Sequence, residues 1–407
     1  MNIRPILASL RHNRLGALLI LLQIALTLAI VSNALSIIVQ NVQRMQRPSG
    51  IDEAHIVVVN NVWFGKPDDL KARTQNDLAA LRGLPGVVDA FATRSIPLGG
   101  SGWGTGLDLA PDQKDSTADV GVYFGDEHML NTLGLRLTAG RGFTADDAGM
   151  PLDGSHDKFP PLIIITRALA HKLFPHDAAV GKVVYIDNRP ETIVGVVERL
   201  QVPWGNEADA GEMAENSVLM PGFYAAHAAL YVIRTQPGRN GAVLAAARNK
   251  LLQIDRMRLI GARQTRTFAE VRANAYRGDA ALIEILAVVC ALLLAVTGLG
   301  IVGLTSYWVS QRRRQIGVRR ALGARRIDIL RHFQTENLLI AGAGVVLGMV
   351  LALSLNLWLV RSFEMTRMGP TFVLAGAAVL LGLGQCAVLW PALAAARVPP
   401  VVAVRTL

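Results

Sequence analysis

Cysteine is almost absent. The 407 residues contain only Cys290 and Cys386, both inside uncharged apolar runs. This leaves no disulfide framework and no Cys/His zinc spacing, so both read as small buried hydrophobes. The phosphate-cradling GxxxxGK[ST] pattern is missing too. Gly65-Lys66 and Gly181-Lys182 lack the preceding glycine spacing and the following hydroxyl residue, which excludes ATP hydrolysis by this chain alone. No GxSxG elbow or nucleophile-plus-base pair stands out. His171 and His176 flank Pro175 and share no helical face, His156-Asp157 lies in a Pro/Gly/Asp loop, and Asp68-Asp69 and Asp146-Asp147 read as helix starts or solvated turns. The patch Gly99–Gly106 does not fit GxGxxG opening a helix and is expected to be a flexible loop. Neither an enzyme nor a bound metal or cofactor is expected.

Charge is missing over four long runs: Leu15–Val39, Ile285–Val309, Asn337–Val360 and Thr371–Ala396. A helix of about 24 residues rises ~36 Å, enough to cross a ~30 Å hydrocarbon core with some tilt. Four transmembrane helices are therefore expected. The first run has 25 uncharged residues, longer than the ~7–15 of a signal-peptide core, so it reads as an uncleaved anchor.

What is present in excess is arginine. Between the second and third runs, Gln311–Glu336 carries eight arginines against Asp328 and Glu336. A short arginine-rich loop flanked by spans is held on the cytoplasmic side. The net charge of +10 is confined in the same way: residues 40–279 balance to −1, whereas 1–14, 310–336 and 397–407 together carry +11. The positive excess is topological and needs no nucleic acid to explain it.

Taken in order, residues 1–14 form a basic interfacial helix and 15–39 the first span, followed by a soluble domain over 40–279. Spans follow at 280–309, 337–360 and 371–396, separated by the cytoplasmic segment 310–336 and a short outer loop at 361–370, with a cytoplasmic tail at 397–407. Both termini are expected inside. Within the domain, Ile56–Val59, Leu162–Ile165 and Leu230–Ile233 read as strands, and Lys182–Val197 as two strands about a turn at Asp187–Pro190. Asp68–Arg82, Arg167–Phe174 and Gly241–Ile254 read as helices, and 201–217 as a polar surface excursion. The expected fold is an α-helical membrane protein with four transmembrane helices and a large α/β (α+β) domain inserted between helices 1 and 2, in one or two subdomains. Gly344 and Gly348 form a GxxxG suited to close helix packing.

Apolar residues interrupt the arginine stretch. Ile327, Leu330 and Phe333 recur on one helical face, and Gly323 marks a break between two short helices. Two readings stand at this point: an anchor on anionic lipid, or a ridge that docks in a partner's groove.

The residues RRRQIGVRRALGARRIDILRHF resemble the signature between the second and third spans of MacB/FtsX-type ABC transporter permeases. Gly140-Arg141-Gly142-Phe143 with Asp146, then LIIITRALAHKLFPHDAAVGKVV and ETIVGVV, are similar to that family's periplasmic core domain, and PALAAAR with Pro400 and Arg405 to its C-terminus. The resemblance implies an inner-membrane permease subunit, dimerised with a second copy or a related permease. It would recruit cytoplasmic ABC ATPase subunits that hold the ATP, and a periplasmic adaptor. ATP-driven closure would reach the periplasmic domain by mechanotransmission, driving efflux or extraction of a periplasmic or membrane substrate. The family's coupling segment would fall on Gln315, Ile316, Gly317, Arg319, Arg320, Leu322, Gly323 and Ala324, with Ile327, Leu330 and Phe333 on the helix that follows. Gln315 stands where the family often has an acid. With 14 residues before the first run, the ATPase is expected on a separate chain. The alternative is an FtsX-like regulatory scaffold controlling a periplasmic partner such as a cell-wall hydrolase. A third reading, a membrane-anchored periplasmic enzyme, has only the size of the domain in its favour.

Overall fold

The computed structural model describes residues 14–65, 69–147, 161–205, 211–261, 265–323, 325–363 and 367–396. The expected helix before residue 14, the His156-Asp157 loop and the tail after 396 lie outside these residues. The chain divides into two compact units, one of residues 47–278 and the other of the segments before and after it.

In the first unit, β1 (Ile56–Trp63) pairs antiparallel with β10 (Ala228–Thr235), which pairs with β2 (Val87–Thr93). The short strands β11 (Arg258–Leu259) and β12 (Thr265–Thr267) also pair with β1, giving a five-stranded sheet. Strand alternation sends Val57, Val59, Tyr231, Ile233, Ala90 and Ala92 to one face. There they pack on Leu78 and Leu81 of α2 (Leu70–Arg82) and on Val243, Ala247 and Leu251 of α5 (Asn240–Ile254). Asp69 caps α2 by accepting the Ala72 amide hydrogen at 3.1 Å. Beneath α2, Arg258 donates to both oxygens of Asp77 at 2.6 and 3.0 Å, and both side chains are fully buried. The Arg258 guanidinium lies 4.0 Å from the Trp63 ring centre, and the Tyr231 hydroxyl donates to Asp77 at 2.7 Å.

A second sheet runs in the order β5 (Leu137–Gly140), β8 (Arg189–Val197), β6 (Leu162–Thr166), β9 (Ser217–Pro221), β4 (Ala118–Gly125), β3 (Trp103–Asp108) and β7 (Val183–Ile186). Because β7 also pairs with β8, the ladder closes on itself, which removes most exposed strand edge. The β7–β8 turn is made by Asp187 and Asn188 alone, at φ 48° and 64°, a left-handed pair that the short polar side chains tolerate. Helix α3 (Met129–Leu133) follows β4, α4 (Arg167–Leu173) follows β6, and α6 (Phe268–Ala275) follows β12. Two sheets with helices packed on them make this region α/β, as its strand–helix alternation implied.

Two expectations fail here for one reason. Gly99–Gly106 is not a loop throughout, since Trp103–Asp108 is strand β3, and the described ends of 201–217 are not a surface excursion, since Gln201, Val202, Asn216 and Ser217 are buried, residues 206–210 lying outside the described residues. Residues 202–204 run so close over the β3–β4 face that a Cβ on Gly102 would come within 2.5 Å of Pro203, and one on Gly121 within 2.8 Å of Val202. The glycines serve close approach rather than flexibility.

The second unit holds four helices long and apolar enough to cross a membrane, among the described residues. They are α1 (Arg14–Met45), α7 (Arg277–Gln311), α9 (Arg326–Phe363) and α10 (Pro370–Ala396). Helix α8 (Arg313–Ala321) lies between the second and third. Helix α9 packs on α1 and α10, and α10 packs on α1. Without a hydrophobic drive between helices, close packing and polar contacts hold such a bundle together. Thr27 and Thr297 share a hydrogen bond at 2.8 Å, and the Asn33 side-chain amide donates to the Ala352 carbonyl at 3.1 Å. Cys290 is half-buried and Cys386 exposed on their helices, so neither is a fully buried core residue as expected.

Candidate functional site

The arginine stretch is one helical corner. Helix α8 runs to Ala321, and Gly323 then adopts φ +98°, a left-handed conformation that glycine takes without Cβ strain. The chain re-enters helix at Arg326. Asp328 fastens this start by accepting the Arg325 amide hydrogen at 3.0 Å, placing a carboxylate at a helix N-terminus, where the dipole favours it. The helix after the break is not short. It is the first three turns of the 38-residue α9, because no glycine or proline interrupts the sequence between Arg326 and Gly342.

The corner has two sides. On the inner side, Ile316, Ile329 and Phe333 are 6%, 6% and 4% exposed and join the bundle core with Trp308, Val309 and Val388, while Leu330 packs against them. An ion pair ties the same side: Arg312 Nη1 reaches Glu336 Oε2 at 3.0 Å, with the carboxylate buried. Removing one partner of such a buried pair costs about 3–5 kcal/mol. On the outer side, Leu322 is 82% exposed, with Val318 and Ile327 about half exposed. Arg313, Arg314, Arg325, Arg326 and Arg331 are exposed around them.

The structure therefore separates residues that their spacing groups together. Leu322 and Ile327 face outward, whereas Ile316, Gly317, Leu330 and Phe333 turn to the bundle. Gln315 is exposed, Arg319 and Arg320 fall in the last turn of α8, and Ala324 lies outside the described residues. Val318 joins the outward group and Ile329 the inward one. A helical wheel centred on Ile329 instead of Ile327 finds this division, with Ile329, Phe333 and Glu336 at i, i+4 and i+7.

Above the corner, Gly344 and Gly348 of α9 lie against α1. A Cβ on Gly344 would meet the Leu21 carbonyl oxygen at 2.9 Å, and one on Gly348 the Leu28 Cβ at 2.9 Å and Ala25 Cα at 3.0 Å. Only hydrogen fits at this crossing.

A family model described as the MacB-like periplasmic core domain matches residues 17–253, and one described as the FtsX-like permease C-terminal matches 287–400. A Chromobacterium violaceum protein named macrolide export ATP-binding/permease protein MacB is 27% identical over 273 residues, 66% of this chain and 40% of that protein. The pyoverdine export ATP-binding/permease protein PvdT of Pseudomonas savastanoi pv. phaseolicola is 31% identical over 254 residues, 59% of this chain and 37% of that protein. The chain thus spans about two fifths of the length of these relatives. The crystal structure of the periplasmic region of MacB from Actinobacillus actinomycetemcomitans aligns with 57% of this chain and 97% of that one, at a TM-score of 0.32 and 15% identity.

Proposed function

The chain belongs to the MacB/FtsX-type ABC transporter permeases, and from that membership we propose that it transmits ATP hydrolysis by a cytoplasmic ABC ATPase to movement of its periplasmic domain. The arginine corner is the docking surface for the ATPase. The observation that carries this reading is the two-sided corner: an inner face locked into the bundle by Phe333, Ile329 and the Arg312–Glu336 pair, and an outer face where Leu322 is 82% exposed. A lipid anchor needs no such lock. A lever does, because a push on the outer face must move α7 and α9 without being dissipated in a loose loop.

In this reading four helices span the inner membrane with the corner inside, and residues 47–278 lie in the periplasm between the first and second spans. These 407 residues lack the P-loop pattern, so the ATP site lies outside them. A second permease copy would cover part of α7, whose apolar surface its own chain leaves largely open. Relatives named as exporters of macrolides and pyoverdine support export as the outcome.

The test is a pull-down of the tagged chain from native membranes in mild detergent, with bound proteins identified by mass spectrometry. An ATPase carrying the P-loop pattern is expected. Recovery of the permease without any ATPase, under conditions that preserve membrane complexes, would refute the coupling role.

A further inference from the structure

At one end of the closed β3–β9 ladder, the strand ends enclose a cleft of about 460 Å³. Its wall is apolar, formed by Trp103, Ile186 and Met220. Trp103 is fixed there by stacking on Phe124, with ring centres 5.7 Å apart and planes 8° from parallel. Into this wall projects the carboxylate of Glu191, which is only 5% exposed. Alternation along β8 explains its direction: Glu191 pairs with Val184 across the hairpin and shares its face with the core residue Ile193. Among the described residues, Glu191 Oε2 has no hydrogen-bond partner. The other charged groups lining the cleft are Asp187, which accepts from Thr105 at 3.1 Å, and Arg189, exposed at the mouth.

A buried carboxylate oxygen without a hydrogen-bond partner is costly, and a folded protein offsets that cost with a proton, a water or a cation. Water alone would be served by a polar wall, and here the wall is an indole, a thioether and a branched alkyl group. The size falls in the range of pockets that take drug-sized molecules, and the mouth of a closed sheet is a recurrent place for them. We propose that this cleft binds a small organic cation carrying an apolar group, an amine whose ammonium pairs with Glu191 and whose hydrocarbon part lies against Trp103, Ile186 and Met220. The indole face adds cation–π attraction. Burial raises the Glu191 carboxyl to about 7, against the weaker opposing effect of Arg189. A bound ammonium therefore competes with a proton. This inference stands independently of ATPase coupling.

The test uses the full chain in lipid nanodiscs, titrated calorimetrically with 2-phenylethylamine and with its neutral counterpart 2-phenylethanol, empty nanodiscs being subtracted. Saturable binding of the amine is expected, with the alcohol at least tenfold weaker. Amine affinity should rise about tenfold from pH 6 to pH 8, following ionisation of a carboxyl that titrates near 7. Glu191→Gln should lower amine affinity to that of the alcohol and abolish the pH dependence. Equal binding of amine and alcohol, unchanged affinity in Glu191→Gln, or an absence of saturable binding would each overturn the proposal. If Glu191→Gln does not fold, the wild-type pH series decides, and a flat series overturns the proposal.

Discussion

Replacing Leu322 by aspartate separates docking from folding. Leu322 is 82% exposed and touches nothing in the bundle core, so the free permease should change in stability by less than about 0.5 kcal/mol. Burying a leucine in a partner's groove is worth about 1.5–3 kcal/mol, and a carboxylate in that groove adds a desolvation cost. The ATPase should therefore bind at least tenfold, and up to about 150-fold, more weakly, since 1.4 kcal/mol is a factor of ten. The assay is a titration of purified ATPase onto nanodisc-held permease, with stimulated ATP hydrolysis as the second readout. Ile329→Asp is the contrast. Ile329 is 6% exposed within the bundle, and that variant should fail at assembly instead of at docking. Wild-type affinity and stimulation in Leu322→Asp would refute the assignment of the outer face, leaving the corner as a lipid anchor.

Three further outcomes follow from buried contacts. Arg258→Met should destabilise the 47–278 unit by about 3–5 kcal/mol, lowering its thermal transition by about 6–20 °C, because Asp77 stays fully buried without its cation; adding Asp77→Leu should cost no more than the single change, as followed by tryptophan fluorescence on heating. Glu191 contributes in the opposite sense to a paired carboxylate. Its folded pKa of about 7 exceeds the ordinary 4.5, so the native state holds an extra proton between these values, and the contribution is complete below about 4.5 and lost as pH rises through 7. The stability of the wild type relative to Glu191→Gln should accordingly fall by roughly 2 kcal/mol between pH 5 and pH 8, and a constant difference would contradict the burial argument. Gly348→Ile should force α9 off α1, since even a Cβ meets Leu28 at 2.9 Å; an overpacking cost of about 1–3 kcal/mol should appear as a lower unfolding temperature of the purified permease in nanodiscs, and an unchanged temperature would place the crossing elsewhere.

Some of this was legible in one dimension. The four uncharged runs mark the long helices because hydrocarbon penalises each charge wherever its neighbours in space lie. The helices extend past those runs, to Met45 in α1 and back to Arg326 in α9, because charged residues propagate a helix once it leaves the apolar zone. Ile56, Leu162 and Leu230 announced strands by β-branched runs, and Asp187-Asn188 its hairpin by residues that tolerate left-handed backbone. At the corner, Gly323 was legible as a break for the same local reason.

What the sequence by itself determined is therefore everything set by a residue and its immediate neighbours: the apolar helices, the strand and turn signals, the glycine corner and the family pattern. The tertiary structure decided between two helical faces that the spacing of the corner allows, because Leu330 and Phe333 find the bundle while Leu322 and Ile327 do not. It also decided that the β ladder closes, that glycines near residue 104 lie beneath another segment, and that Asp77 meets Arg258 across 181 positions. Each depends on an approach between distant segments, and burial, which sets the energy of a leucine or a carboxylate, is a property of that approach and not of the chain order.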